Sequence, residues 1–189
     1  MMVAMTDDSF ESLLVAARSG DEDAFAHLWR ELNPKVLRYL RTLAPQAAPD
    51  LTSETWLQVI RSLSRFSGDE AAFRGWVFTI ARNKVIDAQR RDRRRPRSVA
   101  DDAVLDALPS ADDTALAAME HLTTESALAL IATLPRDQAE VIVLRVVAGL
   151  DVATVATIVG KNPGAVRVTA HRGLRRLQGL VARPPVTLS

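Results

Sequence analysis

Arginine is the residue type with which this chain is best equipped to do chemistry, and it is concentrated in two places. Residues 74–97 hold nine basic and two acidic side chains, and residues 126–189 hold eight basic and three acidic ones. The stretch between them, 98–125, holds seven acidic and no basic side chains, and residues 1–73 hold seven basic and eleven acidic ones. The net charge of +1 hides this segregation. Guanidinium groups held in a fixed array bind phosphate oxygens and the edges of bases. A basic run is also what an ordinary solvated surface carries, so its placement on the fold must decide. Other chemistries find no residues. The chain has no cysteine, hence no disulfide framework and no thiolate metal site. His27, His121 and His171 show no metal-ligand spacing. The serines lack a partnered histidine, no glycine-rich loop suits a nucleotide, and no carboxylate pair occupies an evident cleft. A protein that is not an enzyme, with no cofactor and no metal, is expected.

The C-terminal arginines sit in a recognisable frame. Pro135 suits the first turn of a helix, and that helix carries Ala139, Ile142, Val143 and Val146 before Gly149 closes it. Asp151 is placed to cap a short helix over 152–159, which Gly160 ends. Asn162 then caps, and Pro163 opens, a longer helix. A short helix, a glycine-containing turn and a longer second helix make a helix-turn-helix. On the second helix, Val166, Ala170, Leu174, Leu177 and Val181 share the stripe expected to pack inward. Arg167, His171, Arg175 and Gln178 form a neighbouring stripe, with Arg172 and Arg176 on a third. An exposed arginine face on such a helix is what entry into the DNA major groove requires. The alternative is a solvated face of a helical bundle. His171 is either a base or phosphate contact or a solvated side chain.

The rest of the chain reads as helix, with weak strand signals throughout. Ser19 with Glu22, and Ser67 with Glu70, have capping-box spacing. The first opens a helix through Phe25, Leu28, Leu32, Val36 and Leu40, in which Pro34 marks an expected kink or break. A helix over about 50–64 places Leu51, Thr55, Val59 and Leu63 on one stripe. After the loop at 66–69 a long helix runs through Phe73, Trp76, Val77, Ile80 and Ala81 into the arginine tract and stops before Pro96. At residues 97–122 the sequence turns to Ala, Asp and Ser, with Pro109 and little periodicity, which reads as a linker. The expected fold is all-α, with two helical domains joined by an acidic linker: 1–96, the linker at 97–122, 123–183, and a short tail at 184–189. No apolar run approaches the roughly 18 residues of a membrane span, and the opening MMVAMTDDSF lacks the pattern of a secretory signal. A cytoplasmic location without membrane insertion is expected.

From Asp50 to Arg97 the sequence reads DLTSETWLQVIRSLSRFSGDEAAFRGWVFTIARNKVIDAQRRDRRRPR. It resembles the second region of extracytoplasmic-function (ECF) sigma factors, a helix D-L-x-x-E-x-aromatic-L, a short loop, then F-x-x-W-hydrophobic-x-x-I-A-x-N-x-x-x-D-x-x-R-R. The stretch LPRDQAEVIVLRVVAGL, with the helix-turn-helix and GAVRVTAHRGLRRL after it, is similar to their fourth region. Together the two cover nearly the whole chain, about residues 10–183.

The resemblance implies a bacterial factor that carries core RNA polymerase to promoters. Asp50, Leu51, Ser53, Glu54 and Leu57 would dock on the coiled-coil of the largest polymerase subunit. The family usually has glutamine at Ser53 and more often phenylalanine at Trp56. Phe66, Ser67, Gly68, Phe73, Arg74, Trp76, Arg82, Asn83, Lys84, Arg90 and Arg91 match the segment that recognises and melts the minus-ten element. By their spacing Phe73, Trp76, Val77 and Ile80 also read as a buried stripe. The tract Arg90, Arg91, Arg93, Arg94 and Arg95 would grip phosphates. Asn162, Arg167, Val168, His171, Arg172 and Arg175 would meet the minus-thirty-five element. The acidic linker resembles the stretch that threads towards the polymerase active centre, or is simply kept soluble by its charge. The implied partners are core RNA polymerase, double-stranded and melted promoter DNA, and an anti-sigma protein of the kind that often holds such factors inactive. The rival reading is a stand-alone helix-turn-helix regulator that works without polymerase.

Overall fold

The computed structural model describes residues 7–94 and 124–181. Among the described residues there are eight α-helices and no strand. The all-α, two-unit architecture expected from the sequence is the one found. The N-terminal unit contains α1 (Asp7–Arg18), α2 (Glu22–Leu43), α3 (Ala48–Ser62) and α4 (Glu70–Arg94). The C-terminal unit contains α5 (Thr124–Ala132), α6 (Arg136–Ile142), α7 (Val152–Val159) and α8 (Pro163–Val181). The acidic linker at 97–122, the tail at 184–189 and Arg95 lie outside the described residues.

Several local expectations are corrected. α1 is a helix beyond those expected, and its stripe of Phe10, Leu14 and Ala17 is buried. Ser19 does not cap α2. Its hydroxyl donates back to the Val15 carbonyl at 3.0 Å, closing α1, while Gly20 turns the chain with φ +94°. Asp21 is the cap, its carboxylate accepting from the Ala24 N–H at 2.9 Å. The second box fails in the same way: Asp69, not Ser67, accepts from the Ala72 N–H at 2.7 Å. In both places an aspartate adjacent to the first turn outcompetes a serine further back, because its charge also meets the positive end of the helix dipole. Pro34 does not break α2, which runs continuously from Glu22 to Leu43 with Pro34 exposed. The helix begun at Arg136 continues through Val143–Val147 as a π-helical turn before Gly149.

The hydrophobic core does not stop at the boundary between the units. One continuous buried cluster takes Val36, Tyr39 and Leu40 from α2, Phe78 from α4, and Val143, Leu144, Val155 and Val166 from the C-terminal unit. A smaller cluster of Ile131, Leu134, Ala139, Ile142 and Leu177 lies under α5 and α8, with Leu43 of α2 against it. Each buried Val or Leu contributes about 1.5–3 kcal/mol, against about 0–1 kcal/mol for an exposed ion pair. Apolar contact therefore dominates what holds the two units together.

On α8 the inward face holds Val166, Ala170, Leu174 and Leu177 as expected, but it is broader and ends before Val181. Val166, Thr169, Gly173 and Leu177 are buried, Ala170 and Leu174 are half-buried, and Val181 is exposed. The cause is the close approach of α6. Gly173 faces Ile142 and Gln138, and a Cβ there would collide with the Ile142 side chain and lie 3.3 Å from Gln138 Cβ. A side chain at this point would force Ile142 to move, so glycine is what gives the two helices their close contact here. Gly173→Ala should lower stability by about 1–3 kcal/mol through overpacking, read by urea unfolding. Helix propensity alone would instead raise stability by about 1 kcal/mol, so a stabilised variant would refute this packing account.

Candidate nucleic-acid interface

The helix-turn-helix is held by caps that the sequence made legible. Asp151 accepts from the Thr154 N–H at 2.9 Å and from its hydroxyl at 2.7 Å, fixing the start of α7. Gly160 ends α7 in the left-handed region at φ +68°. Asn162 Oδ1 accepts from the Ala165 N–H at 2.7 Å, so this side chain is committed to capping α8. Lys161, beside it, pairs with Asp137 at 3.5 Å and ties the turn to α6.

With Thr169, Gly173 and Leu177 turned in, Arg167, Val168, Arg172, Arg175 and Arg176 stand exposed, while His171 is half-buried against the helix flank. The outward face thus offers four guanidinium groups and one apolar side chain, Val168. Arginines on such a face reach phosphates or guanine edges, and an apolar group reaches a thymine methyl.

In the N-terminal unit the aromatic side chains are divided between core and surface. Phe66 stacks on Trp76 with ring centroids 4.9 Å apart, and it also meets Phe73 edge-on at 5.4 Å. Phe66 and Phe73 are buried, and Trp76 keeps a half-exposed edge. The sequence-derived stripe Phe73, Trp76, Val77 and Ile80 is accordingly packed, with Phe73 and Val77 fully buried. Ser67, Gly68 and Asp69 project as an exposed loop. Gly68 adopts φ +151°, and a Cβ there would come within 2.9 Å of Ala72 Cβ, so the loop's tight path depends on glycine. An open cleft of about 430 Å³ lies between this loop and α1, lined by Phe10, Leu14, Arg18, Ser67, Gly68 and Asp69.

The predicted cations of α4 are not equivalent. Asn83, Arg90, Arg91 and Arg93 are exposed. Arg90 pairs with Asp87 at 3.5 Å, and Arg74 pairs with Glu70 one turn before it. Lys84 reaches Glu54 of α3 at 3.4 Å, linking a predicted DNA contact to a predicted docking residue. Arg82 is turned to the opposite unit. Its Nε donates to Glu140 of α6 at 2.8 Å, and the Tyr39 hydroxyl donates to the same carboxylate oxygen at 3.1 Å. Burial, reinforced by the adjacent Glu140 carboxylate, pushes the Tyr39 hydroxyl well above its usual pKa. Sequence reading missed Tyr39 and Glu140. Nothing local marks them, because their partner lies 101 residues away.

The α3 edge is also split. Leu51 is buried, whereas Asp50, Ser53, Leu57 and Ile60 are exposed and Glu54 is half-buried. Leu57 and Ile60 keep 52% and 53% exposure, an uncovered apolar strip bordered by the two acids. Trp56 faces inward and donates its ring N–H to Asn33 at 3.0 Å. Its ring nitrogen thus brings a polar anchor into the α2–α3 contact.

A helical unit with an aromatic-backed loop and a basic helix, followed by a helix-turn-helix, has the arrangement of a DNA-binding protein. The family description Sigma-70 region 2 matches residues 28–95, and Sigma-70, region 4 matches residues 124–177. The ECF RNA polymerase sigma factor ShbA of Streptomyces griseus is 36% identical over 180 residues, covering 89% of this chain and 93% of that protein. The ECF RNA polymerase sigma factor SigD of Mycobacterium tuberculosis is 31% identical over 186 residues, covering 93% and 85%. In fold, the chain is similar to the sigma factor RpoE of Bartonella quintana, solved with the anti-sigma factor NepR, at a TM-score of 0.64 and 21% identity over 84% of this chain and 96% of that one. The chain belongs to the ECF sigma factors of the sigma-70 family. That family consists of transcription initiation factors rather than enzymes. Among the described residues, no helix is long and apolar enough to cross a membrane.

The cap at Asp151 yields a pH-dependent expectation. Hydrogen bonds from the Thr154 N–H, and then from its hydroxyl, hold the Asp151 carboxyl below its usual pKa. A depressed folded-state value contributes stability that is present above the unfolded carboxylate pKa of about 3.9 and is lost as pH falls through the lower folded value. Asp151→Ala should therefore cost about 1 kcal/mol at neutral pH. The gap between variant and parent should narrow as pH drops below about 4, as urea titrations at several pH values would report. A gap independent of pH would mean the carboxylate is not the capping species.

Proposed function

We propose that this chain binds core RNA polymerase through its α3 edge and directs it to promoters, with the N-terminal unit opening the minus-ten element and the C-terminal helix-turn-helix holding the minus-thirty-five element. The observation that carries the reading is the coexistence of two unlike surfaces on one unit. The Asp50–Ile60 edge offers apolar and acidic groups suited to a basic protein helix, and the α4 face and its loop offer arginines and a base-sized cleft. A stand-alone regulator needs the helix-turn-helix but not this pairing.

Each surface has a stated role. Leu57 supplies apolar contact to the polymerase coiled-coil, and Asp50 and Glu54 meet its cations. The Ser67–Asp69 loop and the cleft beside it receive an unstacked base, offsetting the few kcal/mol that unstacking costs. The exposed edge of Trp76 supports the separated strand by stacking, and Arg90, Arg91 and Arg93 hold phosphates. Arg167, Arg172 and Arg175 contact the upstream duplex, with Val168 against a base edge. The factor works in the bacterial cytoplasm without catalysis of its own. An anti-sigma protein is a further partner, as the solved complex of RpoE with NepR illustrates for a related fold.

Runoff transcription tests the reading. Added to bacterial core polymerase, the chain should yield discrete promoter-dependent transcripts, whereas a regulator acting alone would only suppress them. Within that assay, Arg167→Ala or Arg172→Ala should weaken promoter binding by about 1–3 kcal/mol for whichever side chain reads a base. If neither variant changes promoter affinity, α8 is not the reading helix. Leu57→Asp should reduce core association while leaving the isolated chain folded by circular dichroism, and undiminished association would remove the α3 edge from the docking role.

A further inference from the structure

Beside its buried stripe of Phe10, Leu14 and Ala17, α1 carries an exposed one of Glu11, Val15 and Arg18. Val15, at 55% exposure, is the most exposed large apolar side chain among the described residues. This stripe overlooks two recesses. The first is the cleft of about 430 Å³ beside the Ser67–Asp69 loop. The second, of about 340 Å³, lies between α1 and the turn after α3, and is lined by Val15, Arg18, Ser19 and Ser64. Val15 and Arg18 line both recesses and so form the partition between them. Arg18 is fixed in that place, its Nη2 donating to the Ser64 carbonyl at 3.0 Å across the gap. The recesses differ in charge. The carboxylates of Glu11 and Asp69 border the first, and no carboxylate lines the second. Arg61 and Arg65 stand exposed on either side of Ser64 in the chain. Among the described residues, no ion pair occupies Arg18, Arg61 or Arg65.

We propose that the second recess is a subsite for one further unpaired nucleotide, adjacent to the base received beside the Ser67–Asp69 loop. This rests on the function proposed above, and it makes α1 a strand-contacting helix. Carboxylates repel phosphate, so the first recess takes a base and turns the backbone outward. Arg18, Arg61 and Arg65 supply the opposite field, and the phosphate joining the two nucleotides passes over them. The second base then enters beyond the partition. Val15 gives it an apolar face, and the guanidinium plane of Arg18 gives it a stacking surface. Because the bond to Ser64 already holds that plane, little ordering is left to do on binding. The spacing agrees. One turn of α1, about 5.4 Å, takes Glu11 to Val15, and less than one more reaches Arg18, so consecutive nucleotides can fill the two recesses. From the loop, α4 runs off towards Arg90, Arg91 and Arg93 at its far end. The second base is therefore the neighbour on the side away from those arginines.

The test uses the full chain assembled with core polymerase on a premelted promoter bubble. One abasic site at a time is placed along each melted strand, and affinity is read by fluorescence anisotropy. For the parent, two adjacent positions of one strand should each cost about tenfold when the base is removed. Val15→Asp and Arg18→Ala should each weaken binding of the intact bubble by a similar factor. Both variants should then be indifferent to base removal at the position farther from the α4 arginines, while removal at its neighbour still costs about tenfold. A purely structural role for Arg18 would lower affinity at every position alike and keep the parent's pattern, which would overturn the subsite. Should Arg18→Ala fail to fold, Val15→Asp decides, because it leaves the bond to Ser64 in place. A parent with a single sensitive position would also overturn the subsite, and the proposed function would stand. A parent insensitive at every position, or one that never associates with core polymerase, would overturn the proposed function and the subsite with it.

Discussion

A carboxylate removed from water must be paired, and Glu140 meets that demand by drawing on two helices of the other unit. Desolvating one ion costs several kcal/mol unless close partners compensate. Here the guanidinium of Arg82 and the hydroxyl of Tyr39 both converge on one oxygen, at 2.8 Å and 3.1 Å. The pair adds direction to an interface whose strength is apolar. Burial of apolar side chains such as Val143, Leu144 and Val155 is not directional, whereas a buried charge favours the register that neutralises it.

The same economy governs the close helix contacts. Gly75 admits Thr154, and Gly173 admits Ile142 and Gln138. Both glycines lie inside helices, where they forfeit about 1 kcal/mol of propensity each. Backbone approach at those points is what brings α7 onto α4 and α6 onto α8. The width of the buried face of α8 then follows, and with it the set of side chains left facing outward. Reading-face composition is in this sense a consequence of core geometry.

The N-terminal unit separates supporting residues from contacting ones. Phe66 and Phe73 are spent on holding the loop and α4 together, leaving the loop backbone, the edge of Trp76 and the arginines for contact with a ligand. A loop braced from beneath by stacked rings keeps its shape without substrate, which lowers the ordering cost on binding. The surfaces proposed for docking and for strand contact lie on adjacent helices, joined by the Lys84–Glu54 pair at 3.4 Å. Engagement of Glu54 by a partner would therefore compete directly for Lys84.

By itself the sequence determined the helical class, the two units, the stripe Leu51–Thr55–Val59–Leu63, and the caps at Asp151, Gly160 and Asn162. These depend on residues a few positions apart, and helical periodicity and capping chemistry are local. It also displayed the motifs of the family. The stripe of Phe10, Leu14 and Ala17 was equally local, and α1 was legible there. Only the tertiary structure decided that Arg82 is engaged within the protein, that Thr169 and Gly173 join Ala170 and Leu174 on the inward face, and that Glu140 spans the two units. Those outcomes depend on which helix lies opposite, at separations of tens of residues. Which surface of a helix is buried is set by the shape of its neighbour and not by its own pattern alone.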